Sequence, residues 1–560
     1  MKKKMKYLTV FVLVVFSSFT MLANDVLIHV IMDRLVYAKG EIAYGTIMVE
    51  GANLYHKIIK VEAKNIQNGK KIFDACIRMN NNLGEFYIPI LSEYEAGAYT
   101  LTFLGLVDHK KILKIKNENL SDNILPKFSL DNKYPHRDEE IVQLASCLFN
   151  ILGEPNEKKA NIKHYYNHLS TFSFLNNDSL NILEVSNSEK SITFHPKGLE
   201  TEKIGLVAVT DASQKEFGIQ IITIRLDWDQ AIFNNLSDKL FSSLNVKNKS
   251  NQKKFNLIGL YSDAAGYTFT SKSDETGEVI FKYHDFEGNQ SFQLLVMNIE
   301  SEEIQIDSVP MLAISSALYQ EIQESKLNDI INDASLRKDI HTYFSIQTFD
   351  TEPPVRINKF DKEEAQKSYI IKNYKKFSDL KTFCLENDIP LTFMNKNNEY
   401  KAILSPPATY SKAFGVSWEK PLFLLDGRIC KNIKQISTLK MEDIVQVNIY
   451  FDTKETKEWM SAFGNQGIIT ISTKEPKHNL KEMGVLTLSG LQPKITPIEE
   501  LKQNALILDL PFLSPTIYWK TQIDNLYTTN ILKNSDRTPK ILSVFYKKNG
   551  KFFFSKALID

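Results

Sequence analysis

The chain has 560 residues, 43% of them apolar, and its 68 basic against 67 acidic residues leave a formal charge of +1. That balance leaves no electrostatic footprint for nucleic acid, and ordinary glycine and proline usage (22 and 18) excludes a fibrous or disordered chain. At about 100–200 residues per domain, the length accommodates roughly three to five domains with cores of their own.

The first residues read as an address. Lys2, Lys3, Lys4 and Lys6 precede an uncharged apolar stretch, Tyr7 to Leu22, that ends at Ala23. A basic start, an apolar centre and a small residue at the end predict a secretory signal peptide over residues 1–23. The apolar run is shorter than the ~20 residues that a spanning helix needs, which places a membrane anchor second. Cys76, Cys147, Cys384 and Cys430 are scattered without short spacing. Neither a disulfide framework nor a cysteine-based zinc site follows, and buried apolar thiols are expected.

Past Ala23 the pattern is β. Asp25 to Met32 is mostly apolar, Ile42 to Val49 alternates loosely, and Ile59, Val61 and Ala63 repeat at period two. Asn68-Gly69 between two such runs signals a hairpin, and Tyr99, Leu101 and Phe103 alternate in a closing strand. Short strands separated by turns predict a sandwich over 24–117. Asp33-Arg-Leu-Val-Tyr-Ala-Lys-Gly-Glu41 and Gly97-Ala-Tyr-Thr-Leu101 resemble the module usually called the second macroglobulin domain of alpha-2-macroglobulin-like proteins. Lys39 departs from that pattern, which commonly has proline before the glycine.

Residues 118–181 are polar and mixed, and Ile141, Leu144, Leu148, Ile151 and Leu152 fall at helical spacing behind Asp138-Glu139-Glu140. A β module over 182–248 follows, with strands at Ile204 to Asp211 and Ile219 to Leu226, then a polar run, Lys247 to Lys254. A sandwich-like module over 249–312 contains Ser273-Asp-Glu-Thr-Gly-Glu-Val-Ile-Phe281, similar to a hairpin of carboxypeptidase-regulatory-like β modules, with Val279 and Phe281 on one face. Residues 313–400 read as helical and connecting, with helices over Ser315 to Phe344 and Asn373 to Asn387 before short strands from Pro390 to Leu404.

Leu422 to Leu425 is a buried-strand run, Asp426-Gly427 turns the chain, and Val445, Val447, Ile449 and Phe451 alternate as a half-buried strand. Asp452-Thr-Lys-Glu455 is a helix-capping pattern, Trp459, Ala462 and Phe463 share one side of the helix, Gly464 ends it, and Ile468 to Ile471 is a last strand. Leu424-Leu-Asp-Gly427, Asp443-Ile-Val-Gln-Val447 and Phe463-Gly-Asn-Gln-Gly-Ile-Ile-Thr-Ile-Ser-Thr-Lys474 together resemble the plug domain of TonB-dependent outer-membrane receptors, here over 401–476. In that resemblance Asp426, Gly427, Gly464 and Gly467 are structural motif positions.

The residues after this region are expected to be too few for a receptor barrel. Outer-membrane strands take about 9–11 residues each, and a C-terminal β module over 477–560 supplies only a handful. Ser514-Pro-Thr-Ile-Tyr-Trp519 is similar to an element that follows the plug in exported Bacteroidetes proteins joining macroglobulin-like modules to a plug-like domain without a barrel. The expected fold is mainly β with α+β: immunoglobulin-like or macroglobulin-like sandwiches plus a small α+β plug-like domain.

Chemistry is sparse in the sequence. The thioester tetrapeptide of alpha-2-macroglobulins is missing around all four cysteines, as are G-x-S-x-G, H-E-x-x-H and phosphate-binding glycine loops. His164-Tyr-Tyr-Asn-His168 could grip zinc if helical, but has no glutamate between the histidines, so a surface or packed pair is expected. Trp459, Tyr518 and Trp519 are expected in cores rather than on ligands.

The resemblances imply a non-enzymatic exported protein of the periplasm or outer membrane that binds or scaffolds an envelope protein partner, without cofactor, metal or nucleic acid. The alternatives are an accessory subunit of a TonB-dependent transport complex and, behind it, a metal-dependent hydrolase built on the histidine pair.

Overall fold

The computed structural model describes residues 26–51, 54–55, 57–108, 139–153, 165–168, 176–177, 183–187, 191–196, 204–211, 218–226, 233, 235–248, 257–262, 267–274, 277–296, 304–307, 319–343, 365–396, 399–410, 417–475, 485–492, 515–523, 531–532, 539–548 and 551–559. The signal-peptide stretch, His164 and most of the polar run after Lys247 lie outside them. The chain is mainly β, and it divides into two compact units, each assembled from separate stretches of sequence.

The first unit comprises residues 1–239, 311–352 and 491–560. Its centre is a sandwich of two sheets. One has the order Gln220–Leu226, Val26–Met32, Ile42–Glu50, Leu83–Pro89, all antiparallel. The other runs Val36–Tyr37, Glu139–Ile151, Gly97–Asp108, Lys57–Asn65, Lys71–Met79, and only its first pair is parallel. Val30, Ile47 and Phe86 from one sheet meet Val61, Phe103 and Phe149 from the other in a continuous core. Phe86 and Phe103 meet edge to face at 5.2 Å, and the space for Phe86 exists because residue 45 is glycine.

Val26–Met32 is covered on both sides, and His29 is its one polar residue. Val26, Ile28, Val30 and Met32 face the sandwich core, while Ile31 packs with Met48, Leu206, Phe545 and Phe554 under a further sheet. That sheet is built from Asn176–Asn177, Lys551–Ile559, Lys540–Lys548, Ile204–Asp211 and Thr516–Ile523. The C-terminal strands are thus a third layer on the N-terminal sandwich.

The Asn68-Gly69 segment turns the chain between Lys57–Asn65 and Lys71–Met79, and of the two residues only Gly69 takes positive φ (68°). The helix expected after Asp138 is instead a 13-residue strand, Glu139–Ile151. Its apolar residues fit helical spacing because the strand is buried on both faces, which erases alternation, and because a register shift opposite Phe103/Leu104 breaks the period of two. Of the stretch Ser315 to Phe344, Tyr319–Ile322 is a strand and Asn328–Tyr343 is the helix.

The second unit comprises residues 240–310 and 353–490. A sandwich-like module pairs the sheet Glu278–Tyr283, Leu240–Asn248, Ile304–Asp307 with the sheet Tyr267–Lys272, Leu257–Ser262, Asn289–Val296, Val485–Ser489. The Asp274 turn, with Gly277 at φ 87°, carries the chain from one sheet into the other, and Val279 and Phe281 are both buried on one face.

The α+β module beside it has a five-stranded sheet in the order Lys367–Ile370, Ile444–Tyr450, Ile468–Thr473, Leu422–Leu425, Arg428–Ile429. Ile468–Thr473 runs parallel to Leu422–Leu425, and its other neighbour is antiparallel. One sheet face packs on the helices Leu380–Glu386 and Ile433–Ser437 and the hairpin Leu391–Lys396/Glu399–Leu404, through Phe383, Leu404, Phe423, Ile436 and Val447. The Asn373–Asn387 expectation therefore shortens to Leu380–Glu386, capped by Asp379, whose side chain accepts from Thr382 N. The helix Thr453–Met460 begins as its sequence specifies: Asp452 accepts from the backbone N–H of Lys454 and Glu455.

Candidate functional site

The two-residue turn Asp426-Gly427 joins Leu422–Leu425 to Arg428–Ile429, with Leu425 opposite Arg428. Both turn residues have positive φ (50° and 78°), the geometry of a tight hairpin turn that Asp-Gly favours. Asp426 does more than turn the chain. Its carboxylate accepts from Thr473 N at 2.6 Å and from Thr473 Oγ1 at 2.8 Å, which fastens the end of the Ile468–Thr473 strand.

The neighbouring sandwich module holds this turn from the other side. Tyr261 donates its hydroxyl to Gly427 O at 2.8 Å. Buried Gln293 treats Ile429 as a strand neighbour would: its Oε1 accepts from Ile429 N at 2.6 Å, and its Nε2 donates to Ile429 O at 3.1 Å. Around these bonds Tyr261 and Leu295 pack with Leu424, Tyr450, Trp459 and Ile468 in one apolar cluster. The second face of the α+β sheet is therefore already occupied.

Gly464 and Gly467 close the other end of the same sheet. Thr456 Oγ1 donates to Gly464 O at 2.8 Å, and a Cβ on Gly464 would lie 2.2 Å from Thr456 O. Gly467 takes φ 78°, and a Cβ there would meet Leu404 at 2.7 Å and Tyr450 O at 3.0 Å. Gly467 O accepts from Leu422 N, so it sits at the start of the strand whose far end is Asp426. Four residues of strand separate the two ends, about 13 Å. The four motif residues form two structural closures and do not converge on one reactive centre.

A second constellation lies in the first unit, on the Asp33–Glu41 segment. Ala38 O accepts from Glu41 N while Gly40 takes φ 90°, a turn with lysine at the position that proline favours. Lys39→Pro is expected to stabilise this unit by about 0.4–1 kcal/mol by restricting the unfolded chain, read as a rise in the urea midpoint at unchanged slope.

Behind the turn is a buried ionic cluster. Arg34 donates through Nη1 to Glu41 at 2.9 Å and through Nε to Asp33 at 3.3 Å. Asp33 also accepts from the hydroxyls of Tyr37 (2.6 Å) and Thr516 and from Tyr44 N (3.0 Å). Arg337, from the helix Asn328–Tyr343, donates through Nε to Glu41 at 2.9 Å.

Burial pushes the Asp33 carboxyl up, and Arg34 together with the Thr516 and Tyr37 hydroxyls offsets only part of that. Burial pushes Glu41 up as well, but Arg34 and Arg337 outweigh it and hold the carboxyl down at about 2. A carboxyl depressed in the folded state contributes stability above its unfolded value and loses it as pH falls through its folded one. Acidification from about pH 4.5 to 2 is therefore expected to destabilise the first unit through Glu41, with Asp33 acting in the opposite sense. Urea titrations across that window should show a shallower dependence in Glu41→Gln.

The cluster links three distant stretches of chain. Asp33–Glu41 and the Ser514–Trp519 element that holds Thr516 are both motifs in the sequence, whereas Arg337 carries no local signal.

His168 ends a strand, Tyr165–His168, so the helical turn that an i, i+4 zinc grip requires is not formed there, and His164 lies outside the described residues. No group of three or more metal-ligating side chains occurs among the described residues. All four cysteines are buried and in no disulfide, and burial alone pushes the Cys384 thiol up to about 12. Trp459 stands edge to face on Tyr450 at 5.5 Å, Tyr518 is buried, and Trp519 packs on Tyr44 while donating to Thr46 Oγ1 at 3.2 Å. No described helix is long and apolar enough to cross a membrane.

No family model and no curated protein matches the chain. Among solved structures it is similar to Salmonella alpha-2-macroglobulin reacted with methylamine, at 8% identity and TM-score 0.21, over 95% of this chain and 39% of that one. It is similar to Escherichia coli alpha-2-macroglobulin activated by porcine elastase, at 9% identity and TM-score 0.20, over 95% and 43%. A tetra-tandem repeat from the extending region of a large adhesion protein matches at 8% identity and TM-score 0.13, over 93% and 95%. The chain thus spans about two fifths of the macroglobulins that it matches.

Proposed function

We propose that this chain is a non-enzymatic exported protein of the cell envelope, at the periplasmic or outer-membrane level, that binds or scaffolds a protein partner through its α+β plug-like module. The observation that carries this reading is the clasp on the Asp426-Gly427 turn. Tyr261 binds the Gly427 carbonyl, Gln293 binds the backbone of Ile429 two residues on, and Tyr261 and Leu295 bury the sheet face behind the turn. A module committed in this way on one face offers its remaining edge and helices to a partner. A plug that fills a barrel lumen presents its whole perimeter to the wall, which this packing withholds.

In-cell cross-linking followed by purification in detergent tests the reading. The expected result is a peripheral or soluble envelope protein cross-linked to residues 365–475. Recovery of an integral barrel protein in a stable one-to-one ratio would replace binding with the transport role.

A further inference from the structure

The two edges of the α+β sheet are treated differently. At one, the strand Arg428–Ile429 has its outward backbone groups satisfied by the Gln293 side chain, which donates to Ile429 O and accepts from Ile429 N. At the other, Lys367–Ile370 pairs, among the described residues, with Ile444–Tyr450 alone. Among the described residues no hydrogen bond reaches its backbone from the far side. Lys367, Ser368 and Ile370 are exposed, Ile370 at 41%. A bare edge of this kind is a template for another strand.

The edge is also held ready. Gln366, just before it, accepts from Phe451 N at 2.8 Å and donates to Glu455 at 3.3 Å. Tyr369 and Tyr374 pack on Phe383 at 6.4 and 5.1 Å, so the strand and the segment after it rest on the module's own core. Little ordering remains to be done when a strand is added.

Charge decides what strand that is. Residues 367–381 carry five lysines (367, 372, 375, 376 and 381) against one acid, Asp379, and all five lysines are exposed. Asp379 is engaged as the helix cap. Lys367 on the edge, with the four lysines that follow it, repels a second copy of the same edge, which disfavours self-pairing, and attracts a strand of opposite charge. Exposed Ile370 and Tyr374 add apolar contact for alternate side chains of the incoming strand.

We propose that Lys367–Ile370 is a strand-addition site for an extended acidic peptide segment of a partner protein. The proposal deepens the binding function above and rests on it, naming the chemistry of the partner and the edge that receives it.

The test uses the full-length protein and a fluorescein-labelled decapeptide with blocked ends and alternating glutamate and valine. Two controls accompany it: the same peptide with lysine for glutamate, and one with alternate backbone nitrogens methylated. Charge complementarity and main-chain pairing together predict binding at low ionic strength that is at least about tenfold weaker for either control. In the triple variant Lys372→Glu, Lys375→Glu, Lys376→Glu, the acidic peptide is expected to lose at least about tenfold while the lysine peptide gains. Circular dichroism and thermal unfolding matching the parent protein establish that the variant is folded.

Equal binding of the acidic and lysine peptides overturns the proposal. So does an unaffected methylated peptide, since charge alone would then hold the ligand. Capture of phosphatidylglycerol vesicles without peptide binding would assign the lysines to a lipid surface and equally overturn it. A cross-linked partner that the triple variant still retains would sink this edge while leaving the binding function standing.

Discussion

Arg34→Ala is expected to destabilise the first unit by about 3–5 kcal/mol, because it leaves two buried carboxylates without their shared cation. Arg34 is 1% exposed and touches Asp33 and Glu41 at once, while its guanidinium lies 4.7 Å from the Tyr37 ring centre. Asp33 is already pushed up by burial, so losing Arg34 drives it toward protonation and leaves its hydroxyl donors, Tyr37 and Thr516, on a weaker acceptor. Glu41 keeps Arg337 and suffers less. The measurement is a urea unfolding curve of each variant. A double-mutant cycle with Glu41→Ala should return a coupling of at least about 1 kcal/mol if the two side chains act as a pair. Arg34→Lys should recover only part of the loss, because one ammonium cannot reach both carboxylates with the fork that a guanidinium provides. A cost below about 1 kcal/mol for Arg34→Ala would mean that the cluster is hydrated and contributes as a surface pair does.

Gly464→Ala is expected to cost about 2–3 kcal/mol in the second unit, through overpacking against backbone that has nowhere to move. The added carbon would sit 2.2 Å from Thr456 O, inside the helix Thr453–Met460, and 3.2 Å from the Met460 side chain. Relief requires the helix to lift from the sheet, which also pulls Met460 and Trp459 out of the cluster that holds Tyr261. Hydrogen exchange read by mass spectrometry should therefore show faster exchange in both 453–473 and 257–262, with the first unit unchanged. Confinement of the change to the helix alone would show that the shared cluster does not couple the two modules.

Local chemistry made much of this fold legible. The strands Ile42–Glu50, Lys57–Asn65 and Gly97–Asp108, the Asn68-Gly69 and Asp426-Gly427 turns and the Asp452 cap follow from period-two patterning, positive-φ residues and side-chain capping. Each depends on a few adjacent residues. Glu139–Ile151 was misleading because burial on both faces removes the alternation that marks a strand. The sites were less legible than the elements. Asp426 reads in the sequence as a turn residue, and only the packed sheet reveals Thr473 on its carboxylate. Arg337 and Thr516 reach their partners across 296 and 483 residues; nothing near Arg337 marks it, and the Ser514–Trp519 element marks Thr516 without naming its partner. Gln293, which seals an edge 136 residues away, sits in a strand whose last five residues are all buried, and nothing local marks it.

The strand Val26–Met32 is completed by residues far along the chain: one of its faces is covered by Phe545 and Phe554, and Asp33 just beyond it is bound by Thr516. A clipped product that stops short of residue 516 is expected to leave Ile31, Met48 and Leu206 wet, a greasy face in place of a working half.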